Sequence, residues 1–189
     1  MKTLLPKTRK GALDSHRITL LAFSVAVALV VAYIESALPP LMPIAPGAKL
    51  GLSNVAPLFA LIVMGVPDAF IVMALKTLLG AFITGGVSGL MYSVPAGLVS
   101  LAIEVMLYKL LFDKTSIAMI SLIGAVAFNC VQLVVASLVT GVNLISLLPL
   151  LMAAGVLAGA FTGLLTYYIV KKLPYSVYGV QYSSKEITK

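Results

Sequence analysis

Long apolar runs separated by short polar, glycine- or proline-bearing connectors fill most of the 189-residue chain. A helix that crosses a bilayer needs roughly 20 predominantly apolar residues. On that scale the pattern predicts six membrane-spanning helices, over residues 18–38, 52–65, 69–84, 90–112, 116–140 and 144–170. The second run is short. The connectors carry ordinary chain-reversal chemistry: Gly65-Val66-Pro67-Asp68, Gly85-Gly86-Val87-Ser88-Gly89, Asp113-Lys114-Thr115 and Gly141-Val142-Asn143. Asp14 or Ser15 is placed to cap the first helix and Ser53 the second, while Pro57 is tolerated near a first turn. Pro95 and Gly97 are expected to bend the fourth helix, and Lys171 and Lys172 end the sixth.

Composition turns this pattern into a fold class. Hydrophobic residues make up 61% of the chain and charged ones 10%, against an apolar share of about 45–50% in soluble domains. The mean hydropathy is +1.12. The reading is an all-α integral membrane protein of one six-helix domain over residues 18–172, with a basic segment at 1–17, a tail at 173–189 and no room for a soluble catalytic domain. The first run is longer than a signal-peptide core and lacks a clear cleavage site, so it is kept as a span. The net charge of +7 sits in short flanks beside the apolar runs, where it sets topology and touches anionic lipid; nucleic acid is not an expected partner. Lysine and arginine gather at both ends of the chain and at Lys109 and Lys114, which places both termini in the cytoplasm. Cys130 is the single cysteine and has no partner for an intrachain disulfide.

The stretch ESALPPLMPIAPGAKLGLSN, residues 35–54, cannot be spanning helix. Pro39, Pro40, Pro43 and Pro46 remove backbone donors and clash with a preceding turn, and irregular backbone persists at membrane depth only where protein or water satisfies it. The orientation puts this loop on the external face, as a lid over a cavity, with Lys49 inside it.

Ionisable groups within spans cost ~2.5–3.5 kcal/mol each at the bilayer centre, so Glu35, Lys76 and Glu104 each require a reason. Glu35, near the external end of the first helix, is either wet or part of a site with Lys49. Lys76 shares a face with Gly80 and Thr84; it either attracts an anionic ligand group or forms a structural pair with a glutamate. Glu104 reads as a paired or interface-reaching group. Asn129 and Gln132 lie on one face of the fifth helix, continuing to Ala136, and serve either as interhelical hydrogen bonds or as readers of a ligand. Gly155, Gly159 and Gly163 form an unbroken GxxxGxxxG, a signal for close helix contact. On the first helix, Ala28, Ala32 and Glu35 share one side, and Ala22, Ala26, Leu29 and Tyr33 lie about a third of a turn away. If Glu35 faces a cavity, the Ala22 and Ala26 stripe is free to meet another protein. No GxxxxGK[ST] motif is present, and the six acidic residues form no paired aspartate cluster for magnesium. The lone histidine and lone cysteine supply no zinc or nucleophile constellation. Neither enzymatic activity, a metal nor a cofactor is expected.

The succession ALVVAYIESALPP, PGAKLGLSNVAPL, a span with a central basic residue, and SLIGAVAFNCVQLVVA resembles the bacterial membrane family labelled heptaprenyl diphosphate synthase component I, also called Gx transporters. The resemblance covers residues 18–165. Lys76 and Phe128 stand where the family pattern has an arginine and a histidine. That family in turn is similar to the S components of energy-coupling factor importers. The similarity implies six helices, cytoplasmic termini, an external gate between helices 1 and 2, and alanines of helix 1 that dock a transmembrane T component served by two ATPase subunits. It also implies residence in the bacterial cell membrane. On this basis the candidate substrate-binding residues are Glu35, Lys49, Asn54, Lys76, Asn129 and Gln132, the docking residues are Ala22 and Ala26, and residues 35–54 form the gate. The ligand would be a small vitamin-like or cofactor-precursor molecule. The other readings are a non-catalytic membrane subunit associated with isoprenoid synthesis and an ion-coupled secondary carrier in which Glu35 or Glu104 titrates during transport.

Overall fold

The computed structural model describes residues 15–37, 51–83, 89–111 and 115–173. Residues 1–14 of the basic segment, 174–189 of the tail, Thr84 and the loop of 38–50 with its Lys49 lie outside the described residues. Six α-helices follow in order: α1 (Ser15–Ser36), α2 (Val55–Val63), α3 (Val66–Ile83), α4 (Gly89–Leu111), α5 (Ile117–Thr140) and α6 (Leu148–Lys172), with single 3-10 turns at Leu52–Asn54 and Ile145–Leu147 leading into α2 and α6.

The expectation of a helical membrane protein holds, and the six runs prove unequal. Among the described residues, five helical segments are long and apolar enough to cross a membrane. The remaining one, α2, has nine residues, every one of them buried. Including its leading turn it rises only about 18 Å, well short of a hydrocarbon core of about 30 Å. The other helices enclose it: Leu58, Ala60, Leu61 and Val63 of α2 pack with Val25 and Ala28 of α1, Val72 and Met73 of α3 and Leu101 of α4. Their outer sides carry Phe82, Leu110, Leu138 and Leu157, each more than 70% exposed. A helix apolar on every side has no polar stripe to mark its orientation, so hydrophobic periodicity located the spans without saying which face looks inward.

Local chemistry sets the boundaries. Ser116 caps α5, its Oγ accepting from the amide of Met119 at 3.3 Å. Gly141, at φ +68°, ends that helix in the left-handed conformation and donates to the carbonyl of Ser137 at 3.0 Å. α3 begins at Val66 instead of residue 69, because Pro67 falls in the first turn, where its missing donor is not needed. α6 begins at Leu148 after a 3-10 turn, with Pro149 in its own first turn. Ser53 is not a cap: it lies inside the 3-10 turn, Asn54 occupies the cap position of α2 without a side-chain cap, and the Ser53 hydroxyl is taken up by Lys76. α4 continues through Pro95 as one helix.

Two contacts fix how the helices meet. α5 and α6 pack through the glycine stripe so closely that a Cβ on Gly159 would stand 2.6 Å from the Cα of Leu122, and one on Gly163 would stand 2.6 Å from the Cα of Ala118. Within this interface the Ser121 and Thr162 hydroxyls bond at 2.7 Å. At one end of the bundle, Arg17 of α1 donates to the buried Asp68 in the first turn of α3, from Nη2 at 2.6 Å and from Nε at 3.0 Å. This cross-helix ion pair has no counterpart in the sequence reading.

Backbone cannot retreat from an added side chain as a flexible neighbour can. Gly159→Leu is therefore expected to lower stability by at least 1–3 kcal/mol, whereas Leu157→Ala on the outward face leaves it nearly unchanged. Thermal unfolding of the purified protein in detergent measures both.

Candidate ligand-binding cavity

The head of α2 gathers the polar groups. Its first residue after the undescribed loop, Gly51, adopts φ +86°. A Cβ there would stand 2.9 Å from Asn54 Nδ2 and 3.1 Å from Phe128 Cδ1, so both the backbone sign and the close packing call for glycine. The amide of Gly51 donates to Glu35 Oε1 at 2.6 Å. Glu35 is thus the α1 group that holds the start of α2, and it is 5% exposed instead of wet. From α3, Lys76 Nζ donates to Ser53 Oγ at 3.1 Å and to Asn54 Oδ1. Three helices, α1, α3 and α5, therefore converge on four residues, Gly51–Asn54, by a carboxylate, an ammonium and an aromatic ring.

Beside this junction lies a small cavity, lined at its polar side by Ser53, Asn54 and Lys76 and covered by Phe128. Ala32, Gly80, Ala81 and Gly97 form much of the remaining wall, and their lack of bulk is what leaves space between α1, α3 and α4. The room for water-sized occupants is about 40 Å³. On a scale where about 10–15 Å³ admits one water, that is the size of a small ligand head group, not of a whole vitamin. Lys76 lies seven residues, about 10 Å, from the C-terminal end of α3, the end away from the Arg17 and Asp68 pair.

Of the residues picked out in the sequence, Glu35, Asn54 and Lys76 meet at this junction, and Lys49 falls outside the described residues. The stripe from Lys76 to Gly80 does form cavity wall. Asn129 and Gln132 are each 1% exposed on α5 but do not line the cavity. Asn129 Nδ2 donates to the Leu151 carbonyl of α6 at 3.0 Å, an interhelical bond that passes over Gly155. Glu104 is 3% exposed and does not reach an interface. Its side chain rests on Gly124, where an added Cβ would come within 2.6 Å of its Cγ, and it lies within electrostatic reach of Lys76. Gly51, Ser53 and Phe128 were missed as site residues. The signal for Ser53 was available, because a buried ammonium requires nearby oxygens and the LSN triplet offers two. Among the described residues no group of three His, Cys, Asp or Glu could hold a metal ion.

Ala22, Ala26 and Tyr33 are exposed on α1, while Ala28, Ala32 and Glu35 are buried. The alanines of that helix divide as the sequence spacing expects, but Leu29, grouped with the outer side, is partly buried and packs towards the core and Gly80.

The two left-handed glycines separate backbone from packing effects. Gly141→Ala should cost only the backbone term of about 1–2 kcal/mol, since nothing lies within 4 Å of its Cβ position. Gly51→Ala should cost a further 1–3 kcal/mol or so, because Asn54 and Phe128 must move. Paired thermal melts of the two variants give the difference directly.

No curated protein and no solved structure matches the chain. The sequence model of one family, described as heptaprenyl diphosphate synthase component I, matches residues 24–169. That match takes in most of α1, all of α2 to α5 and nearly all of α6, together with every residue of the Gly51–Asn54 junction, and begins two positions after Ala22. The chain is a multi-pass membrane protein of the heptaprenyl diphosphate synthase component I family.

Proposed function

We propose that the protein is a substrate-binding membrane subunit, similar to the S component of an energy-coupling factor importer, that captures a small molecule in the cavity beside α2. Its partners in this reading are a transmembrane T component and two ATPase subunits, and both of its termini face the cytoplasm. The observation that supports it best is the two-sided α1: Ala32 lines the cavity and Glu35 anchors its polar edge, while Ala22 and Ala26 lie exposed on the other side of the same helix. Small exposed residues at a spacing of four let a second helix approach closely in lipid, where tight packing substitutes for a hydrophobic driving force. The cavity is lined by Ala32 in the last turns of α1 and by Gly51, Ser53 and Asn54 at the head of α2, the described segments on either side of residues 38–50 in the sequence.

The family's name favours a second reading, a non-catalytic membrane subunit that associates with a prenyl diphosphate synthase. The two readings differ in the partner. Co-expressed with a tagged T component and its ATPases, the chain is expected to copurify, and Ala22→Trp to reduce recovery by about tenfold or more, while Leu157→Trp on the outward face of α6 leaves it unchanged. Capture of a soluble prenyl synthase, with no retention by the T component, decides for the second reading and against the first.

A further inference from the structure

We propose that the ligand of the cavity presents a small oxyanion, a carboxylate or a phosphate group, to Lys76, Ser53 and Asn54. The inference deepens the reading of this cavity as a capture site and rests on it. Its ground is the direction of the hydrogen bonds. An ammonium has donors and no acceptor, so the bonds from Lys76 require oxygen, not nitrogen, at the facing atoms. Ser53 Oγ and Asn54 Oδ1 supply those oxygens. This fixes the Asn54 amide with its NH2 turned away from Lys76, and that Nδ2 is buried and has no hydrogen-bond partner. Ser53, having accepted from Lys76, keeps its hydroxyl proton to give. Beside the ammonium the cavity edge thus offers an amide NH2 and a hydroxyl as donors, while Thr77, whose Oγ1 donates to the Met73 carbonyl, and Ser93 complete the polar lining.

Charge points the same way. Among the described residues that line the cavity, Lys76 is the only charged one. Glu35 and Glu104 do not line it: Glu35 Oε1 accepts from the Gly51 amide behind the junction, and Glu104 rests on Gly124. A cationic or donor-rich ligand would face the ammonium and two further donors. An oxyanion would bring acceptors to all of them in a poorly hydrated place, where charge-assisted hydrogen bonds are strongest. Room for about three waters suits such a head group, and the wall of Ala32, Gly80, Ala81 and Gly97 gives the adjoining part of the ligand a narrow apolar slot.

The test uses the purified full chain in dodecyl maltoside, free of phosphate and carboxylate. Thermal unfolding is followed by tyrosine fluorescence with increasing sodium acetate or sodium phosphate, at ionic strength held constant with tetramethylammonium chloride. Phosphate stabilises many proteins by exclusion from their surface, so the readout is the difference between wild type and variants. Lys76→Met removes the cation. Asn54→Asp retains an acceptor for Lys76 while replacing the NH2 donor by a negative oxygen, and it is the variant expected to fold in any case. A saturable rise of the melting midpoint in wild type, with half-saturation shifted at least roughly tenfold in either variant, is the expected result. A parallel titration with phosphatidylglycerol distinguishes the source: a Lys76-dependent shift with the lipid alone assigns the oxyanion to a lipid head group. No saturable shift in wild type with any of the three probes, or equal shifts in wild type and variants, overturns the inference. Failure here with partner capture intact removes only the ligand chemistry; failure of partner capture does not touch the oxyanion measurement.

Discussion

A polypeptide that breaks out of helical geometry at membrane depth has to find partners for its amide groups within the protein, and the Glu35 bond to Gly51 is where this chain meets that demand. Gly51 emerges in a left-handed conformation, and its N–H would otherwise face the interior with nothing to receive it. A carboxylate from the end of α1 receives it. Ser53 and Asn54, two and three residues further on, are held by Lys76 of α3, so the head of α2 is gripped by a carboxylate and an ammonium that belong to different helices. Because α2 is buried along its whole length, its position determines how α1, α3 and α4 can close around it. The cavity is the space this suspension leaves open.

The same demand explains why buried charge is tolerated. Glu35, Lys76 and Glu104 are each below a tenth exposed, and a lone charge in such a place would be expelled or neutralised. Here the carboxylate of Glu35 binds an amide and the ammonium of Lys76 binds two side-chain oxygens, which returns part of what desolvation takes away. Asn129 resolves differently. Its NH2 reaches the Leu151 carbonyl across the α5 and α6 interface, while its Oδ1 is buried without a hydrogen-bond partner.

How much of this could be read from the sequence depended on what each signal encodes. Span positions followed from apolar run length, and the α5 and α6 contact followed from GxxxGxxxG, because both are properties of single segments. The split of α1 into two faces was legible too, since angular spacing places Ala22 and Ala26 apart from Ala28, Ala32 and Glu35. What escaped was tertiary. Ser53 looked like a helix cap because its local sequence suits one, and only the approach of Lys76 from another helix gives it different work. Phe128 sits in a featureless apolar run, and nothing in that run says that its ring covers Gly51. The Arg17 and Asp68 pair joins two positions 51 residues apart, a distance at which neither charge announces its partner.

That pair has a mechanical corollary. It ties the beginning of α1 to the beginning of α3, at the extremity of the bundle remote from the cavity. Sliding α1 lengthwise like a piston would rupture it, whereas tilting the helix about its tethered foot would not. Whatever opens the space beside Ala32 therefore meets least resistance as a swing of the Glu35 end of α1 about the guanidinium as pivot, and the bond from the Gly51 amide is the contact such a swing has to release.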